Sequence, residues 1–191
     1  AAALVRFGEC AAVPDLLVAA RSGDARVRYG LMDLVYLAVV GPQAKCTDAV
    51  PAAEVEALVM EGLGDLPEAS RDDATLVRQK ALYLLREKPE WTAKVASDVQ
   101  AVLDDPANTI PVRREALGAL ARTGSEEFAD RLPRYFHSPD PYLRSEAVTA
   151  SRVYSDKKDP PLRYEACWIG MLRDEARNSF ALGNALGGLR A

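Results

Sequence analysis

The sequence predicts an all-α chain, an α-solenoid of about five stacked helix pairs forming one α–α superhelix. Three observations lead there. A short pattern recurs along the chain, at Val27–Leu34, Val77–Leu84, Val112–Ala119 and Leu143–Ala150, with a weaker copy at Ala176–Gly183. The apolar positions within each copy follow the spacing of one helix face. No stretch alternates with period two, so strands are not expected.

Each element follows from that frame. With the residue before each arginine as position i, i+4 holds Leu31, Ala81, Ala116 and Ala147. Position i+5 holds Met32, Leu82, Leu117 and Val148, and i+7 holds Leu34, Leu84, Ala119 and Ala150. The small residues on this stripe imply close approach of helix axes. Second helices are expected between the copies, over 11–20, 52–62, 92–103 and 126–137. Phe128 and Leu132 mark the apolar side of the last, and Val95, Val99 and Val102 that of the one before. A further second helix, burying Leu162, Ala166, Ile169 and Leu172, is expected near 159–173. Ser22-Gly23-Asp24, Asp104-Asp105-Pro106, Ser138-Pro139-Asp140-Pro141 and Asp159-Pro160-Pro161 punctuate the chain as turns.

Asp140-Pro141-Tyr142-Leu143-Arg144, followed by Glu146-Ala147, resembles the start of a HEAT repeat of the short bacterial type, also seen in phycobilin lyase subunits. Asp24-Ala25-Arg26-Val27-Arg28 keeps the same Asp-to-Arg spacing. The resemblance covers nearly the whole chain. It implies that the Asp caps the first helix of a repeat and that the Arg braces the next repeat. The residue chemistry agrees, because a carboxylate before a helix satisfies orphan N–H groups and an Arg can reach a neighbouring carboxylate or carbonyl. The cap slot is shifted before Arg78 (Asp72, Asp73), and before Arg113 it falls on Asn108 or Thr109.

The arginine spacings locate an insertion. Arg113 to Arg144 is 31 residues, Arg78 to Arg113 is 35, and Arg28 to Arg78 is 50. The excess is expected as an acidic insertion at about 41–71. Residues 48–73 carry eight acidic side chains against Arg71 alone. The whole chain is expected to be a single repeat domain, truncated at both ends. Ala3–Gly8 aligns with Ala119–Gly124, so residue 1 would fall within a first helix, and Arg177–Leu189 would be a first helix without its partner.

Composition narrows the function classes. The chain has 191 residues and is ordinary globular in composition, with 49% hydrophobic and 27% charged residues. A chain this long is expected to fold without disulfide or metal staples. A net charge of -4 argues against a dedicated nucleic-acid binder. No apolar run is long enough to span a membrane. Cys10, Cys46 and Cys167 are odd in number and far apart in sequence, which reads as isolated thiols in a reducing, cytoplasmic compartment. No signal peptide is visible, although a mature secreted chain could begin like Ala1-Ala2-Ala3.

No catalytic constellation emerges, and no cofactor or metal is expected. His137 is the one histidine and reads as a helix C-terminal residue. HEAT-type iron hydroxylases use His-Glu ligand pairs, which this sequence lacks. Trp91 and Trp168 would have to serve a HEAT-like DNA glycosylase; they read instead as a helix start and a core residue.

The expected function is a non-enzymatic protein–protein interaction scaffold or adaptor, bacterial in type, a monomer or part of a larger chain or complex. Its protein partner would meet either the acidic insertion (Glu54, Glu56, Glu61, Asp65, Glu68) or a concave face of second helices (Asp98, Glu127, Asp130, Arg131, Arg134). Asp15 and Lys94 share that face. Arg131 and Arg134, with Lys157 and Lys158, are also candidates for a basic patch. The alternatives are a phycobilin-lyase-like subunit handling a tetrapyrrole or its acceptor protein, and a HEAT-like nucleic-acid binder.

Overall fold

The computed structural model describes residues 10–66, 69–155 and 164–174. The described residues are helical, with no strand among them. They divide between Trp91 and Thr92 into two compact units.

The first unit opens with a 3-10 turn, Cys10–Ala12, leading into α1 (Val13–Ser22). Then come α2 (Ala25–Val39), α3 (Ala52–Glu61) and α4 (Arg71–Glu87), and α5 (Pro89–Lys94) begins. Pro14 lies in the first turn of α1, where its missing N–H costs nothing. The Gly23 N–H closes that helix onto the Ala19 carbonyl. Asp24 starts α2 by accepting a hydrogen bond from the Val27 N–H at 2.9 Å. Ser70 starts α4, taking the Asp73 N–H and donating its hydroxyl to the Asp73 carboxylate at 2.7 Å. The cap before Arg78 is therefore Ser70, with Asp73 as its reciprocal partner.

α2 packs on both α1 and α4. Two ion pairs join α2 to α4 at one register, Arg26 with Asp73 and Asp33 with Lys80. Equal offsets along both helices mean that α2 and α4 run parallel, so α3 must carry the chain back between them. The core of the unit is Val13, Leu17, Met32, Val35, Val39, Leu58, Val59, Val77, Leu82 and Leu85.

The second unit continues through α6 (Ala96–Asp104), α7 (Ile110–Arg122), α8 (Glu126–Arg131), α9 (Pro133–Phe136), α10 (Pro141–Ser155) and α11 (Glu165–Asp174). α7 packs on α6 and α10. Asp140 starts α10, accepting the Tyr142 and Leu143 N–H groups at 2.8 and 3.1 Å, with Pro141 as the first helical residue. The expected helix over 126–137 is two short helices. Pro133 removes one helical donor and divides them, while Phe128 and Leu132 still face the core. The stretch 92–103 is likewise split between α5 and α6, with Val99 and Leu103 buried.

The arginines act in the direction opposite to the one expected. Each reaches back to the end of the preceding helix rather than forward to the next repeat. Arg28 donates to the Arg21 carbonyl at 2.8 Å and Arg78 to the Leu63 carbonyl at 3.1 Å. Arg113 donates to the Leu103 carbonyl at 2.8 Å and Arg144 to the Ser138 carbonyl at 2.7 Å. Arg21 and Leu103 carry last-turn helix carbonyls, which lack intrahelical donors and hold the negative end of the dipole, while the Leu63 and Ser138 carbonyls lie in the turns just beyond α3 and α9.

Two burial expectations shift. The pattern stripe is buried in α4, α7 and α10, but in α2 Val27 is exposed and Leu31 and Leu34 are half-buried. The buried face of α2 is Met32, Val35, Tyr36 and Val39, toward its neighbouring helices. In α11, Ala166 is exposed and Ile169 half-buried. Tyr164 and Trp168 face inward instead, where their polar atoms meet the Ala129 carbonyl and the Ser151 hydroxyl. Leu162 and the side chain of Leu172 lie outside the described residues, as do Asp159-Pro160-Pro161, Lys157, Lys158 and the expected helix over 177–189.

Candidate functional site

The acidic segment is built from two loops around a helix, and Glu54, Glu61, Asp65 and Asp73 pair with the first unit's own arginines. α3 occupies its middle, with Val55, Leu58 and Val59 inward. Arg21, at the end of α1, contacts Glu54 at 3.3 Å and Glu61 at 3.5 Å, and also donates to the Glu54 carbonyl. Arg28 approaches Glu61 at 4.0 Å. Asp65 meets Arg78 at 3.2 Å. Asp73 is held below the usual carboxylate range by the hydrogen bond from Arg26, helped by Ser70. Glu56 is half-buried on α3, and Glu68 lies outside the described residues. Glu54, Glu61, Asp65 and Asp73, four of the eight acidic residues over 48–73, are thus ion-paired, and Arg28 and Arg78, which also donate to carbonyls of the preceding turns, take part.

A cleft of about 670 Å³ opens beside this network, lined by Arg21, Asp24, Arg26, Arg28, Ser70 and Asp73 among others. Its three guanidinium groups face it already engaged by carboxylates or carbonyls. Asp24 and Ser70 occupy the two helix N-termini that open on it. The cleft is polar, and the buried Arg21 Nε in its lining has no hydrogen-bond partner, only the Glu61 carboxylate at 3.5 Å.

In the second unit two of the expected concave-face residues, Arg131 and Arg134, are ion-paired. Asp98, Glu127, Asp130, Arg131 and Arg134 are all exposed. Arg131 is taken by Glu127 one turn earlier on α8, at 2.6 Å. Arg134 contacts both oxygens of Asp104, at 3.0 and 3.2 Å, and donates to the Tyr135 hydroxyl at 2.9 Å. That hydroxyl donates to Asp104 and accepts from Gln100, each at 2.8 Å. Burial pushes the Tyr135 pKa up, so the phenol stays a neutral donor. Arg134 is therefore a cross-helix anchor, and reversing its charge would disturb the unit that holds it. It is not the free docking cation expected from the sequence.

The structure brings together a different set. On α2, Tyr29, Asp33 and Leu37 form one stripe; on α4, Leu76, Lys80 and Tyr83 form another. The Lys80 ammonium joins them, 5.2 Å from the Tyr29 ring centroid, 5.3 Å from that of Tyr83 and 3.5 Å from the Asp33 carboxylate. Lys80 itself is mostly covered, at 18% side-chain exposure. The apolar residues around it are open, with Tyr29 at 39%, Leu76 at 42%, Tyr83 at 45% and Leu37 at 50%. The second unit repeats the device. Arg114 of α7 lies 6.0 Å from the Tyr142 ring and 3.4 Å from Glu146, one turn further along α10. The aromatic face is not among the residues expected from charge and the buried stripe. Its signal is in the sequence: 29, 33, 37 and 76, 80, 83 are helical stripes outside the buried register.

The aromatic and cysteine residues weighed for chemistry are placed as follows. Trp91 stands at the start of α5, buried, with its ring edge-on to Tyr36 at 6.4 Å. Trp168 is buried on α11. Neither offers a face for stacking on a base. His137 terminates α9 and its N–H closes on the Arg134 carbonyl. Among the described residues no group of three or more His, Cys, Asp or Glu side chains is placed to hold a metal. No described helix is long and apolar enough to cross a membrane. Cys10 and Cys46 are joined as a disulfide, with Cα atoms 5.2 Å apart. That corrects the expectation of isolated thiols, because separation in sequence does not limit approach once α1 and α2 fold back on each other. Cys167 remains a free thiol. No family model, curated protein or solved structure matches the chain.

Proposed function

We propose that the chain is a non-enzymatic protein-interaction module built from HEAT-like helix pairs. In this reading the pairs stack as a solenoid, and a partner protein binds the face formed by Tyr29, Leu37, Leu76 and Tyr83. The observation that carries it is the open aromatic and aliphatic patch around the neutralised Lys80. Contiguous exposed apolar surface with tyrosines is the composition of a binding core, whereas charges already paired internally have little left to offer a partner. The four arginine braces support the repeat reading, because one sequence position performs one task in each helix pair.

The test is affinity capture from the native source. Wild-type bait is compared with a Tyr29→Ser/Leu76→Ser/Tyr83→Ser variant and with a control variant, Asp98→Ser/Asp130→Ser. Both variants change exposed positions and should fold, as circular dichroism would verify. A partner lost with the first variant and kept by the control supports the aromatic face. A partner kept by the first and lost by the control would move the site to the second unit.

A further inference from the structure

The Cys10–Cys46 bond has a position that suggests more than a staple. Cys10 lies in the turn that leads into α1, and Cys46 in the middle of the irregular segment 40–51 between α2 and α3. That segment is long for a connection without its own secondary structure. Pro42, Gln43, Lys45, Thr47 and Asp48 are exposed along it, and only Gly41, Cys46 and Val50 are buried. Its backbone bonds include one from the Cys46 N–H back to the Ala38 carbonyl of α2 and one to the Pro51 carbonyl from the Glu54 N–H of α3. The disulfide is the covalent tie from its middle to the start of α1, closing a sequence separation of 36 residues. The neighbouring helices have a separate clamp, Arg21 with Glu54 and Glu61, which does not depend on sulfur.

We infer that the Cys10–Cys46 bond is a redox-sensitive strap, closed in an oxidising compartment and opened by a small thiol reductant. Such bonds persist outside reducing compartments, so this reading sets aside the cytoplasmic expectation. A cleft of about 440 Å³, lined by Cys10, Pro14, Lys45, Cys46 and Asp48 among others, borders the bond. Cys10 is half-buried and Cys46 only 3% exposed, so an incoming thiolate meets Cys10. Attack at the Cys10 sulfur breaks the S–S bond and expels Cys46 as a thiolate, which takes a proton from water. A second thiol then displaces Cys10 and leaves as a small-molecule disulfide. Two electrons pass from the reductant to the protein. Cys167 stays out of the exchange, since it is half-buried on α11 and burial pushes its thiol pKa up.

The experiment starts with the full chain taken from its native source, with free thiols blocked at lysis by iodoacetamide. Mass spectrometry after unfolding should find Cys167 alkylated and Cys10 and Cys46 unmodified. Alkylation of all three would overturn the inference. Amide exchange is then compared with and without dithiothreitol. Reduction should expose the amides of 40–51 and of the turn before α1, while α7 and α10 keep their protection. Unchanged exchange over 40–51 on reduction would also overturn it. A Cys10→Ser/Cys46→Ser variant should reproduce the reduced pattern and unfold at a temperature roughly 5–15 °C lower, the size expected for losing one such cross-link. Cys167→Ser should change neither readout.

Discussion

At the scale of single residues, the four pattern arginines explain most of the regularity. Each donates to a carbonyl at or just beyond the end of the preceding helix. Removing one leaves that carbonyl short of a charged partner. Arg113→Ala should destabilise the chain by about 1.5–3 kcal/mol, read from urea unfolding, and Arg113→Lys should recover only part of the loss. A change within about 0.5 kcal/mol would remove the brace from the account. Tyr36 gives a second residue-scale prediction. Burial, reinforced by Glu87 and other nearby groups, pushes its pKa from 10.0 up to about 12. A raised folded pKa on a buried phenol stabilises the protein fully below the unfolded value near 10, and the contribution fades as pH rises toward 12. Thermal stability should therefore fall between pH 10 and 12, and Tyr36→Phe should blunt that fall. Identical alkaline profiles for the two proteins would contradict it.

At the scale of elements, local chemistry was legible and partner choice was not. The Asp24 and Asp140 caps were readable because cap and helix are adjacent in sequence. Asp140→Ala should cost about 1 kcal/mol, measurable as a lowered denaturation midpoint, and a neutral result would deny the cap its role. The direction of the arginine braces was not readable, because their acceptors are carbonyls, which every residue carries. Nor were the ion pairs of the acidic segment. The net charge over 48–73 is plain in the sequence, but its partners Arg21, Arg26 and Arg28 come from α1 and α2, earlier in the chain. The short helices α8 and α9 show the same limit, since Pro133 divides a helix whose apolar spacing runs on without interruption. The Lys80 device belongs at this scale too. A double-mutant cycle on Asp33 and Lys80 should return a coupling below about 1 kcal/mol, because the pair is partly open to water. A coupling of several kcal/mol would mean that Lys80 is a structural keystone rather than the centre of an open face.

At the scale of the molecule, the all-helical class followed from periodicity and needed no partner information. The functional surface did not. Charge is conspicuous in a sequence, yet Glu54, Glu61, Asp65 and Arg134 each have an ion-pair partner within their own unit. Tyr29, Leu37, Leu76 and Tyr83 are exposed on two parallel helices. The most direct measurement is photo-crosslinking in the native source, with a benzophenone amino acid placed singly at Leu76, Tyr83, Asp98 and Asp130. The account predicts one discrete partner adduct from positions 76 and 83 and none from 98 and 130. Adducts only from 98 and 130 would contradict it and return the binding surface to the second unit.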